Sequence, residues 1–146
     1  MERIKNTKGK ILSVDFGDVR TGLAVSDASR LLASGIGYIT PGGIEKTADA
    51  IVAAAKENSA VAVVVGLPRN MDGSEGSRAD RCKKLARLIE ERCELPVAMM
   101  DERMTTMTAS RYLNETGTRG GKRKQVIDTL SAQIILQNFL DRLKNI

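Results

Sequence analysis

Residues 60–68, AVAVVVGLP, run almost without a polar break. Such a run is what a strand shows when both of its faces are covered, as in a parallel sheet sandwiched between helices. The flanking periodicities agree. Ile11 to Phe16 alternates as a strand, and Arg20 to Ser26 reads as its hairpin partner across the Gly17–Gly22 connection. Leu31 to Thr40, broken by Gly35 and Gly37, is predicted as a third strand. After TPGG the period changes from two to 3.6: Ile44, Ala48, Ile51, Val52 and Ala55 recur at helical spacing over Ile44–Asn58.

Beyond the apolar run, Ser77 with Asp80 three positions on resembles a capping box, and Cys82, Leu85, Ala86, Ile89 and Cys93 form the inward stripe of a helix. LPVAMMDER is a further buried strand that ends in charge. A short helix around Thr106–Asn114, a basic glycine-rich loop TGTRGGKRK and a long helix from about Lys124 to Leu143 complete the chain. The order β-β-β-α-β-α-β-α implies an α/β fold, a mixed five-stranded sheet with helices on both faces in which strands 1, 4 and 5 run parallel. In such sheets, sites gather at the carboxyl ends of the parallel strands.

At 146 residues the chain is expected to form a single domain over 1–146. MERIKNTKGK is polar and basic without a signal-like apolar segment, so residues 1–9 read as a mobile arm of a cytoplasmic protein. No apolar run approaches the ~20 residues of a membrane span. The formal charge of +5 favours an anionic partner. Cys82 and Cys93, roughly 16 Å apart along one helix, are too distant to bond each other.

Most restrictive is the absence of histidine. It removes imidazole triads, histidine acids and bases, and zinc sites with imidazole ligands. Catalysis by this chain must rest on carboxylates, lysines, hydroxyls or a metal held by oxygen.

Three places supply carboxylates. Alternation puts Ile11, Ser13 and Asp15 on one strand face, with Asp15 at the carboxyl end; the simpler alternative is an aspartate capping the Gly17 turn. The fifth strand ends in Asp101-Glu102-Arg103; neighbours on a strand face opposite ways, so one acid is expected to share the site, with Glu102 favoured and Arg103 able to pair with the other, while a solvated strand end is the simpler alternative. On the last helix Asp128 lies on the apolar stripe continued by Ala132, Ile135, Phe139 and Leu143, although an acid early in a helix also suits the dipole. Converging carboxylates repel one another unless cations balance them. Mg²⁺ or Mn²⁺ is the natural counterion, and two such ions support phosphodiester hydrolysis without histidine.

These residues carry a family resemblance. VDFGDVRTGLAVSD, VVVGLPRNMDGSEG, MDERMTT and VIDTLSAQIIL, in this order, resemble the YqgF/RuvX family, and the element order is similar to the ribonuclease H-like nuclease fold. The resemblance implies a nuclease that processes pre-16S ribosomal RNA, in a family also described as Holliday-junction-resolvase homologues. By motif, its active-site acids fall on Asp15, the Asp101–Glu102 pair and Asp128, with Asp15, Glu102 and Asp128 as metal ligands. The last helix departs from the pattern at DTLSAQ, where the family commonly has small residues after the acid; this bears on packing more than chemistry.

Arg119, Lys122, Arg123 and Lys124 in the loop before Asp128 are placed to grip phosphates, as are Arg20, Arg69 and Arg103; a solvated loop and plain turns are the alternatives. With 3% aromatic residues, backbone recognition should dominate over base stacking. The expected partner is structured RNA or branched DNA, bound by a monomer or weak homodimer. Two other classes remain at this stage. DFG before an apolar hairpin also resembles the first phosphate loop of sugar-kinase and actin-like ATPases, which close two such domains around a nucleotide. A non-catalytic nucleic-acid-binding module is the other.

Overall fold

The computed structural model describes residues 2–17, 20–40, 42–68, 76–101 and 121–144, with side chains from 130 onward in the last helix. A short helix α1 (Glu2–Lys5) precedes β1 (Lys10–Phe16), β2 (Thr21–Ser26) and β3 (Ala33–Ile39). Then follow α2 (Ile44–Glu57), β4 (Ala60–Leu67), α3 (Ser77–Cys93), β5 (Val97–Asp101) and α4 (Gly121–Leu143). The sheet order is β3-β2-β1-β4-β5. β1–β2 and β2–β3 pair antiparallel, while β1–β4 and β4–β5 pair parallel, as the unbroken apolar run of β4 requires.

Each face of the sheet carries its own core. Leu12, Val14 and Phe16 of β1 and Val63 and Val65 of β4 pack with Ala48, Ile51 and Ala55 of α2 and Leu85 and Ile89 of α3. On the reverse, Ile11, Ala24, Ala62, Val64 and Met100 meet Ala132, Ile135, Leu136, Phe139 and Leu140 of α4. Alternation along β1 and β4 makes this possible, because successive side chains leave a strand on opposite sides. Cys82 is buried and Cys93 half-buried, both as thiols.

Where β2 and β3 pair, the register slips between Leu23 and Ala24, opposite Gly37 and Gly35. Gly37 has φ +109°, a conformation that side-chain-bearing residues rarely adopt, so the glycine that breaks the third strand's alternation is a bulge device.

Several expectations shift in detail. Residues 1–9 do not hang free as an arm where they are described: Ile4 is 1% exposed within the α4-side core. The Arg30 guanidinium holds the segment by donating to the carbonyls of Gly9 (2.7 Å) and Ile4 (2.8 Å) and to Thr7 Oγ1 (2.7 Å). One buried apolar side chain and an arginine making three hydrogen bonds outweigh the polar composition of the segment. The third strand starts at Ala33, because Asp27 Oδ1 accepts from the amides of Leu31 (2.8 Å) and Leu32 (3.3 Å) and turns those residues into a loop. The Ser29 hydroxyl and these amides hold the Asp27 carboxyl below its ordinary value. The capping box at Ser77 is not formed: Gly76 is the N-cap, without a side-chain cap bond, and Ser77 is already helical. α4 starts at Gly121, so Lys122, Arg123 and Lys124 belong to its first turn and not to a loop. The stretch expected as a short helix around Thr106–Asn114 lies outside the described residues.

Candidate active site

Asp15 occupies the penultimate position of β1, half-buried, paired in register with Gly22. Immediately after the strand, Gly17 donates its amide to the Arg20 carbonyl at 3.0 Å and closes the hairpin. A Cβ on Gly17 would sit 2.4 Å from that carbonyl oxygen. Glycine is therefore required here by close approach. Replacing Gly17 with alanine must push β1 and β2 apart where they leave the sheet, an overpacking cost of about 1–3 kcal/mol. A lowered urea midpoint with unchanged slope checks this.

The position of Asp128 relative to Asp15 follows from two fixed points on α4. Ser13, buried on β1, donates its hydroxyl to the Ala132 carbonyl at 2.7 Å. One and a half turns on, Gln137 accepts from the Ala33 amide at 3.0 Å and donates to the Leu31 carbonyl at 3.1 Å. Ala33 pairs with Ser26, whose hydroxyl accepts from the Ile11 amide at 2.9 Å, so Gln137 lies toward the amino end of β1. Hence α4 runs down the sheet from the carboxyl edge, and moving back from Ala132 leads toward that edge. Asp128 precedes Ala132 by one helical turn, about 6 Å of rise. Asp15 follows Ser13 by two strand residues, again about 6–7 Å, on the same face. The backbone thus carries both residues to one rim. Ser131 and Ala132, where the motif departs from its pattern, are both buried, and the Ala132 carbonyl accepts from Ser13.

β5 ends at this edge as well, with Asp101 in register with Leu67. Ala98 and Met100 pack on the α4 side and Val97 and Met99 on the α3 side, so alternation turns Asp101 away from the face of Asp15. Glu102, Arg69, Arg103 and Arg119 lie outside the described residues, as do the side chains of Asp128, Lys122, Arg123 and Lys124. Among the described residues no three His, Cys, Asp or Glu side chains gather as a metal site. The donor chemistry available at the rim is oxygen only: the chain has no histidine and Cys82 is buried in the core of the opposite face, a set that suits hard divalent cations. Arg20 emerges from the hairpin with its guanidinium 5.5 Å from the Tyr38 ring centroid. Arg81 of α3 lies 5.0 Å from the Phe16 ring centroid, directly after Asp15 in sequence. Sequence reasoning passed over Arg81, because on a helix it reads as one more solvated cation; the signal available was the run of basic residues it belongs to.

Comparison with known proteins agrees with this architecture. A protein of Caldanaerobacter subterraneus subsp. tengcongensis, named as a pre-16S rRNA nuclease, is 42% identical over 137 residues, covering 93% of this chain and 99% of its own. One of the same name in Paracoccus denitrificans is 40% identical over 136 residues, covering 93% and 86%. Among solved structures, T. thermophilus RuvC in complex with a Holliday junction substrate superposes with a TM-score of 0.60 at 13% identity, covering 93% of this chain and 96% of that one. Fowlpox virus resolvase with Holliday junction DNA gives 0.58 at 10% identity, covering 92% and 98%. These share the ribonuclease H-like fold. Residues 9–142 match the RuvX family, described as Holliday junction resolvase, and with the relatives' identity over nearly the whole chain, this protein belongs to the RuvX family.

Proposed function

We propose that this chain is a metal-dependent endonuclease that hydrolyses phosphodiester bonds in structured RNA, acting in the cytoplasm at the 5′ end of pre-16S ribosomal RNA. The carrying observation is the Ser13–Ala132 bond, which registers α4 on β1 so that Asp15 and Asp128 arise from one rim. Relatives that are about 40% identical over 93% of the chain bear the corresponding name.

Asp15, Glu102 and Asp128 are the residues that would hold Mg²⁺ or Mn²⁺, with two ions as the working stoichiometry. Such ions supply an activated water and charge neutralisation at the leaving oxygen. The chain's own task is to hold its carboxylates ionised and fixed while a phosphodiester is brought against them. Rigidity comes from the elements beneath: β1 is hydrogen-bonded on both sides, and α4 is locked by a buried hydroxyl. The cations of the first turn of α4 (Lys122, Arg123, Lys124), with Arg20, Arg69, Arg103 and Arg119, contact the phosphates that flank the scissile one.

Branched DNA is the second reading, favoured by the resolvase description of the family and by the likeness to RuvC. Cleavage of a pre-16S RNA fragment and of a four-way DNA junction, each with Mg²⁺, Mn²⁺ or EDTA, separates the two. RNA cleavage that EDTA abolishes is expected; cleavage confined to junctions would overturn the RNA assignment, and metal-independent cleavage would overturn the site.

A further inference from the structure

Charge is unevenly distributed along α3. From Ser77 to Arg87 the helix carries Arg78, Arg81, Lys83, Lys84 and Arg87 against Asp80. Towards its other end come Glu90 and Glu91; Glu90 lies 3.9 Å from Arg3, and Arg92 ties the helix to Glu45 and Asp49 of α2. The helix dipole favours the reverse arrangement, acids at the amino end and cations at the carboxyl end. The helix dipole therefore does not account for the cations crowded into this half.

That half stands at the candidate site's rim. β4 runs parallel to β1 with Val65 beside Val14, so its end at Leu67 reaches the same edge as Asp15 and Phe16. α3 begins after that edge and runs back toward the start of β5. The Arg81 guanidinium, 5.0 Å from the Phe16 ring centroid, anchors the near end of the helix to the tip of β1. Because Asp15 and Phe16 are consecutive, their side chains leave the strand on opposite faces. The tip of β1 thus has a carboxylate on its α4 side and an arginine on its α3 side. Arg78, Arg81 and Lys84 are exposed and recur every third residue, rising about 4.5 Å per step.

We propose that Arg78, Arg81 and Lys84 form a phosphate-binding ridge that takes up the nucleic-acid backbone after it crosses the acidic rim, so that substrate contacts both sides of the sheet edge. The inference rests on the nuclease reading above. Charge complementarity selects the occupant: a ridge of cations beside a polyanion's reaction site, in a chain with 3% aromatic residues, suits phosphate contacts and not base stacking.

The test is the double variant Arg78→Gln/Lys84→Gln, with both changes on exposed positions. Fluorescence anisotropy with a labelled four-way DNA junction and a labelled stem-loop RNA, in EDTA so that neither is cut, gives affinity across a salt series. Each duplex phosphate contact contributes about 0.9 to the slope of log affinity against log salt, so the junction slope should flatten by about 1.8. Affinity at low salt should fall about tenfold or more. An unchanged slope and affinity, with wild-type protein binding normally, would overturn the ridge, and would also be the result if an acidic protein were the occupant. Failure of the nuclease reading is separately visible: binding with the expected slope change, but no cleavage of either probe by wild type once Mg²⁺ or Mn²⁺ is restored.

Discussion

Asp15→Asn is expected to lower single-turnover cleavage by on the order of 10³-fold or more, with binding in EDTA retained. The substitution keeps the side chain's size and removes its charge. Charge stabilisation of several kcal/mol at a metal-assisted transition state corresponds to about that factor, at roughly 1.4 kcal/mol per decade. The fold should tolerate the change. Asp15 is half-buried on a strand whose hairpin is closed by the Gly17–Arg20 backbone bond, and a neutral amide costs less to desolvate than a carboxylate. An undiminished thermal midpoint with lost cleavage is therefore the expected pair of results. Cleavage within a few-fold of wild type would show that Asp15 only shapes the turn.

The largest structural effect is expected from Phe139→Ala. Phe139 is 1% exposed at the centre of the core between α4 and the sheet. Truncating a buried phenylalanine to alanine costs about 3–5 kcal/mol, through lost transfer energy and the cavity left behind. Against a typical total of about 5–15 kcal/mol, that is a large fraction of the stability. A drop in the urea midpoint of matching size is the measurement; a change below about 1 kcal/mol would contradict the packing described, since surface positions behave that way. Function should suffer as well, because the same face of α4 that buries Phe139 sets the height of Asp128 relative to β1. Activity should be lost at temperatures at which the wild type is still folded.

The two faces of this sheet are unequal in what they ask of the sequence. On the α2/α3 side, helical spacing and strand alternation suffice, and Ile51, Leu85 and Ile89 lie where their periodicity puts them. On the α4 side, packing needs polar contacts of high sequence separation: Ser13 to Ala132, and Gln137 to Leu31 and Ala33. Nothing in the local pattern around Ser13 marks it as the residue that registers a helix more than a hundred positions away. The same holds for Arg30, which looks like an exposed turn residue and instead holds three groups of the N-terminal segment. Burial lowers its proton affinity, a consequence of tertiary placement that composition does not carry.

Boundaries show the same division. Gly76 stands at the N-cap of α3, although Ser77 and Asp80 have the composition of a capping box, because Ser77 is already inside the helix and its hydroxyl makes no cap bond. α4 reaches back to Gly121, since the lysines and arginines that made the segment read as a phosphate-gripping loop are also good helix formers.

Element order, the parallel pairing of β1, β4 and β5, the carboxylate at the end of β1 and the exclusion of imidazole chemistry were all legible in the amino-acid order. They depend on periodicity and composition, which are local properties. That Asp101 alternates to the opposite face from Asp15, and that Arg81 of α3 lies beside Phe16, depended on strand register and helix direction. Those are decided by long-range hydrogen bonds and by how two cores fill, and no window of neighbouring residues contains them.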